Sequence, residues 1–351
     1  MAFHYTVRWT PPQNVTDLYG YGFKFDQIMT LGRHGVEIFF VISGLVITMT
    51  VLRSQNAIDF AAHRIARIYP ALIVSAAITL ALCQFAPPAL RREPLDFLAS
   101  LTLHPRLFGR TFVDGAYGTL AVEMKFYAYV AASFFVLKQR FWIGLLVAAG
   151  ASLALSFNHF AEMLLFPHYW PYFLIGMAGW YGLFEKQLTP TILLSTSGLL
   201  LLAIYYPGPS PTMLVMLATV LMAWMIHARV TMPLLPALGR ISYSLYLIHQ
   251  NLGVMMIGKL TGLGLPGLAA LALTVGSLTL AAFAMHRLVE LPGQRLFIRA
   301  YLALKSSTGK AARAPVEQHS QESAQPASAR PPGIEAACPS ADPPHIDRDG
   351  T

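Results

Sequence analysis

The sequence predicts an all-α fold: a polytopic bundle of transmembrane helices. Hydrophobic residues make up 55% of the 351-residue chain and charged residues only 12%, about half the charged share of an ordinary soluble domain. Mean hydropathy is +0.51. The apolar residues also gather into segments of the roughly 17–25 residues that a membrane helix needs. Within each segment they run all round the helix rather than along one stripe, as spans do. Backbone groups in lipid must be bonded within their own segment, which makes such segments helices.

Nine segments qualify or nearly qualify, taken in order along the chain. The first, about 35–52, reads Gly35-Val-Glu-Ile-Phe-Phe-Val-Ile-Ser-Gly44 and onward, with Glu37 near its start and Ser43-Gly44 in its middle. The second, about 68–86, follows His63-Arg-Ile-Ala-Arg-Ile-Tyr-Pro70, which puts Arg64 and Arg67 at its mouth. A polar connection, 87–117, carries Arg91, Arg92, Arg106 and Arg110. The third span, about 118–137, contains Glu123 and Tyr127, and the fourth, about 141–157, follows Lys138 and Arg140. Segments of about 168–184, 188–206 and 210–226 come next. The last two are about 241–258, with His249, and 264–286.

Alternating the connections gives the orientation. One set holds Arg53, Arg64, Arg67, Lys138, Arg140, Lys186, Arg229, Arg240, Arg287 and Arg295 in short loops; the other holds fewer cations, and its connections 158–167 and 207–210 hold none. The richer set is expected on the cytoplasmic side. The connection 87–117 and the first residues are then external. The formal charge of +8 is accounted for by such flanking cations, and no basic patch on a polar domain suggests nucleic acid as a partner. Residues 1–300 form the membrane domain. Residues 301–351, rich in Ala, Pro, Ser, Glu and Gln from Lys305 on, have too few large apolar groups to build a core and are expected to be a disordered cytoplasmic tail. Cys83 and Cys338 offer no metal-ligand spacing, and no metal is expected.

Polar groups inside spans are expensive and mark candidate chemistry. Arg64 and Arg67 are three residues apart and share a helix face. Two guanidiniums there suit a multiply charged anion such as phosphate; positive-inside anchoring accounts for the same spacing. Glu123, with Tyr127 four residues on, suits a base, a hydrogen-bond anchor, or a structural bond to a neighbouring helix. His249 shares a face with Ser242 and Leu245, with Tyr246 beside it, and suits either acid–base work or packing. Glu37 marks an interface or lines a cleft. Glu37, Ser43, Tyr127 and His249 are the candidate substrate-binding residues. His4, in Met1-Ala-Phe-His-Tyr5, is by itself only a histidine near a terminus.

Five motifs in order carry a resemblance: Gly35-Val-Glu-Ile-Phe-Phe-Val-Ile-Ser-Gly44, Arg64-Ile-Ala-Arg-Ile-Tyr-Pro70, Thr119-Leu-Ala-Val-Glu-Met-Lys-Phe-Tyr127, Ile241-Ser-Tyr-Ser-Leu-Tyr-Leu-Ile-His249 and Glu290-Leu-Pro292. Over about residues 1–300 the chain resembles the membrane acyltransferase 3 family, which includes O-antigen and Nod-factor acetyltransferases. The resemblance implies a multi-pass enzyme of the inner (plasma) membrane. It would take an acyl group, typically acetyl, from cytoplasmic acyl-CoA and deliver it to a hydroxyl of a carbohydrate or lipid-linked glycan, with membrane lipid as its surroundings. It implies that Arg64 and Arg67 grip the phosphates of coenzyme A. It implies that His4 is catalytic, either as a general base or through an acyl-histidine, with Glu123 orienting the imidazole or polarising the acceptor.

The family's arginine, separated from that histidine by ten intervening residues, would fall before Met1. The resemblance therefore implies ten spans in the full pattern, with about 20 further apolar residues ahead of Met1, or else a truncated, inactive paralogue. A transporter or flippase of a lipid-linked saccharide is the competing reading of a multi-span bundle with polar residues at mid-membrane.

Overall fold

A computed structural model of the chain describes residues 4–5, 31–86, 90–207, 219 and 234–311. Every regular element among them is helical. The chain divides into two units, Met1–Tyr301 and Leu302–Thr351, and the site lies in the first.

A short turn, Leu31–His34, leads into α1, Gly35–Arg53. Helix α2 runs Ala57–Cys83, and α3, Pro94–Leu101, belongs to the polar connection that follows. Helices α4, Tyr117–Leu137, and α5, Phe141–Ala154, form a hairpin around Lys138–Arg140. Helix α6, His159–Leu165, is short, and α7, Trp170–Trp180, ends in a π turn, Tyr181–Glu185. Helix α8 is Leu188–Tyr205 and α9 is Leu234–Gly262. Helix α10, Gly267–Met285, passes through a second π turn, His286–Glu290, into α11, Leu291–Ala311.

Five segments among the described residues are long and apolar enough to cross a membrane: Gly35–Arg53, Ala57–Cys83, Tyr117–Ala154, Leu188–Tyr205 and Gly267–Ser306. They correspond to the expected spans near 35–52, 68–86, 118–137 with 141–157, 188–206 and 264–286. The expected segments 168–184 and 241–258 are helical within α7 with its π turn and within α9, and do not meet both criteria. The expected span 210–226 lies outside the described residues apart from position 219. Helix α11 continues to Ala311, past the boundary at 300 drawn from composition; residues 312–351 lie outside the described residues.

One boundary differs in a way that matters. Helix α2 begins at Ala57, well ahead of residue 68, because Asn56 caps it: its side-chain oxygen accepts from the Asp59 amide at 2.9 Å and its amide donates to the Asp59 carboxylate at 3.0 Å. A capping asparagine starts a helix wherever it satisfies the free amides of the first turn. Arg64 and Arg67 are therefore inside a helix, in its second and third turns, and not at its mouth. Pro70 is accommodated within the same helix.

Helix α1 lies directly on α7. Gly44 meets the Phe173 carbonyl and Gly176 meets the Val41 carbonyl, and a Cβ on either glycine would collide with backbone. Without a hydrophobic drive between helices in lipid, such close backbone approach is a main source of packing energy. An aromatic layer joins α1, α4 and α7: Phe126 stacks on Phe173 at 3.9 Å, Phe40 lies 4.8 Å from Phe173, and Trp170 sits edge-on to Phe126 at 5.8 Å. Helix α9 packs against α10 and α2. The polar residues considered below sit where α1, α2, α4, α9 and the second π turn converge.

Candidate functional site

Three polar clusters occupy this region. The first joins α1, α2 and α4. The Glu123 carboxylate, 7% exposed, accepts from the Tyr127 hydroxyl at 2.6 Å and from Ser43 Oγ at 3.1 Å, both on Oε1. The i, i+4 spacing on α4 makes the first bond local; the second crosses to α1. The Arg64 guanidinium lies 5.4 Å from the Tyr127 ring centroid and 5.5 Å from that of Phe60. Arg64 is 8% exposed, and its Nε, buried, has no hydrogen-bond partner among the described residues. A buried guanidinium is tolerated when aromatic faces and opposite charge offset its desolvation, and an unmatched donor on it costs free energy until something accepts from it. Lys125 points away from this cluster and donates to the Met163 carbonyl.

The second cluster centres on Glu290, which is fully buried. Its Oε2 accepts from Ser244 Oγ at 2.8 Å and lies 3.0 Å from His286 Nδ1. Its Oε1 pairs with Arg67 Nη1 at 3.5 Å, across 223 residues of sequence. The Arg67 side chain is 46% exposed. It lies over the Tyr243 ring at 5.8 Å, and the Tyr243 hydroxyl donates to the Ile68 carbonyl at 2.8 Å. The π turn of His286–Glu290 sets these two residues on one face. The two arginines thus differ. Arg64 is sealed under aromatic rings, while Arg67 is half open and held by a buried carboxylate.

The third cluster is a histidine pair. The rings of His4 and His249 meet edge to face with centroids 5.1 Å apart. His249 Nδ1 faces the Tyr246 carbonyl at 2.7 Å, and the Tyr246 hydroxyl bonds to Thr119 and, at 2.5 Å, to the Ala116 carbonyl on α4's approach. Tyr5, fully buried, holds His4 in place: its hydroxyl donates to the His249 carbonyl and packs directly on Gly253. Only a residue without a side chain leaves that room. Gly253→Ala is expected to displace Tyr5 and to destabilise the protein by about 1–3 kcal/mol, the usual cost of overpacking. Thermal unfolding of the detergent-solubilised variant checks this.

The structure therefore gathers most of the residues that sequence singled out. Ser43, Glu123, Tyr127 and Arg64 are linked in one cluster, Arg67 stands beside it, and His4 and His249 form another. Glu123 bonds to Ser43 and Tyr127 and to neither histidine. Glu37 stands apart, 3.5 Å from His34 Nδ1 at the start of α1. Ser242 turns outward to the Gly239 carbonyl, and it is Ser244 that reaches the interior. Sequence reasoning gave no role to Glu290, Tyr5 or Gly253. For Glu290 a signal was present, a carboxylate four residues after His286 at the end of an apolar run.

Comparison with known proteins adds three findings. A family model described as an acyltransferase domain matches residues 1–286. The O-acetyl transferase of Shigella phage Sf6 is 27% identical over 209 residues, covering 53% of this chain and 59% of that protein. The alignment thus spans less than two thirds of the relative. No solved structure shows significant similarity to this chain.

Proposed function

The chain belongs to the acyltransferase 3 family, and from that premise we propose that it is an integral membrane O-acyltransferase. It moves an acyl group, acetyl in the simplest case, from acyl-CoA on the cytoplasmic side of the inner membrane to a hydroxyl of a carbohydrate or glycoconjugate. The family match over residues 1–286 carries the reading, and the likeness to a phage O-acetyl transferase supports it.

This reading gives each residue a part. Arg64 and Arg67 receive the donor phosphates. A buried Nε in need of an acceptor, beside a half-exposed second guanidinium, is suited to a phosphate that brings oxygens to both. Glu123, Ser43 and Tyr127 keep the wall behind Arg64 in place, and Glu290 does the same for Arg67. His4 takes the proton of the acceptor hydroxyl as that oxygen bonds to the acyl carbon. The carbon–sulfur bond breaks, and the thiolate of coenzyme A leaves and is protonated. His249 packs on the His4 ring and limits its orientations. Transfer through an acyl-histidine uses the same residues in two steps.

The donor clamp is tested by replacing Arg64. Arg64→Ala is expected to raise KM for acyl-CoA roughly tenfold or more, the cost of a lost charge-assisted hydrogen bond, with a smaller change in kcat. Thiol release in reconstituted vesicles measures both constants. An unchanged KM would remove Arg64 from donor binding.

A further inference from the structure

A pocket of about 290 Å³ lies between the connection that follows α2 and helix α9, and every charged residue in its lining is an arginine. The connection between α2 and α4 contributes Arg92, Arg106, Arg110 and Thr111, and α9 contributes Gln250 and Asn251. The frame is well held. The Asn251 amide donates to Asp114 at 3.0 Å and its side chain to the Val113 carbonyl at 2.9 Å, while the Val113 amide donates to Ser100 Oγ at 2.9 Å. Arg92 secures the rim by donating to the Phe112 carbonyl at 3.2 Å and the Arg91 carbonyl at 2.7 Å, and Arg110 pairs with Glu93.

Two lining groups remain uncommitted. Gln250 is 3% exposed, yet its amide makes no hydrogen bond among the described residues. Arg106 is exposed, and its guanidinium has no partner among them. Gln250 thus brings to the pocket an amide that can both donate to and accept from a ligand. The lining carries three guanidiniums and no carboxylate. With Glu93 paired to Arg110 and the Asp114 carboxylate bonded to the Asn251 and Ala116 amides behind the wall, the charge facing the pocket is positive, which suits an oxyanion. The lining residue Gly115 is next to Ala116, whose carbonyl accepts from the Tyr246 hydroxyl, and the Tyr246 carbonyl in turn faces His249 Nδ1, which ties the pocket wall to the histidine cluster.

We propose that this pocket is the acceptor subsite and that it takes a saccharide bearing an oxyanion, a carboxylate or a phosphate, on Arg106, with Gln250 bonding a sugar hydroxyl. The proposal rests on the acyl-transfer reading and narrows its substrate to acidic saccharides. The test is titration of the purified full-length protein in detergent with three probes: a digalacturonate, a galactose phosphate and a neutral digalactoside.

At least one anionic probe is expected to bind about tenfold more tightly than the neutral one, and Arg106→Gln should reduce that preference to about twofold or less. A preference for digalacturonate assigns the anion to a sugar carboxylate, and a preference for the galactose phosphate assigns it to a phosphate. Equal binding of all three probes by the wild type, no binding of any, or a preference that survives Arg106→Gln would overturn the proposal. Coenzyme A titrated into the same wild-type sample tests the underlying reading independently. Its failure to bind would count against the donor clamp, while the saccharide comparison still decides the pocket.

Discussion

His4→Ala is expected to lower acyl transfer by roughly 10²–10⁴-fold, the range contributed by a positioned general base, while leaving the protein folded. The ring of His4 packs against His249, whereas the neighbouring Tyr5 anchors the segment through its bond to the His249 carbonyl. Removing the imidazole therefore leaves the anchor intact. The measurement is transfer rate at saturating donor, alongside a thermal unfolding curve. A rate within a few-fold of wild type would show that His4 takes no part in the chemistry. His249→Ala separates position from catalysis. It frees the His4 ring to turn, so a loss smaller than that of His4→Ala is expected.

Glu290→Ala carries the second large effect, on stability and on donor binding together. The carboxylate is fully buried and serves Arg67, His286 and Ser244 at once. Breaking a buried ion pair by removing one partner costs about 3–5 kcal/mol, and the half exposure of Arg67 reduces this to about 2 kcal/mol. A lowered melting temperature in detergent checks the stability change. Because Arg67 is released from its position, KM for acyl-CoA should also rise several-fold. Glu290→Gln keeps the bond to Ser244 but loses the charge facing Arg67 and His286, and should fall between wild type and Glu290→Ala on both measures. A stable Glu290→Ala protein with unchanged KM would refute the positioning role.

Much of the architecture could be read from the sequence, because a membrane helix announces itself by length and apolarity alone. Local pairs were equally legible. The Glu123–Tyr127 bond follows from i, i+4 spacing, and the shared face of Arg64 and Arg67 from i, i+3. The start of α2 was not legible from hydropathy, since Arg64, Arg67 and Pro70 interrupt the apolar run. The signal there was the cap at Asn56, which acts through two hydrogen bonds and leaves no mark on average hydropathy. Long-range partners were invisible for another reason. Ser43 meets Glu123, Arg67 meets Glu290 and Tyr5 meets Gly253 only because helices far apart in sequence lie side by side, and periodicity specifies a face without specifying what it will face.

The polar residues followed the same division. Their presence at mid-membrane marked them as candidates, since burial in lipid is costly. Their grouping into an arginine wall, a buried carboxylate hub and a histidine pair came from the packing of α1, α2, α4 and α9. Glu123 shows the difference most clearly. Its residue type and spacing allowed a base, an anchor or a structural bond to a neighbouring helix, and the resemblance implied a role beside the imidazole. The packing is what bonds it to Ser43 and Tyr127, beside Arg64.

The proposed enzyme transfers an acyl group and does not merely move a saccharide across the membrane. The most direct measurement supplies radiolabelled acetyl-CoA to the purified protein in sealed vesicles, together with glycan acceptors extracted from its own host membranes. Base-labile label in the glycan fraction, released with an equal amount of free coenzyme A and lost in the His4→Ala protein, is the predicted result. Saccharide crossing the vesicle membrane with all label still on coenzyme A would contradict it.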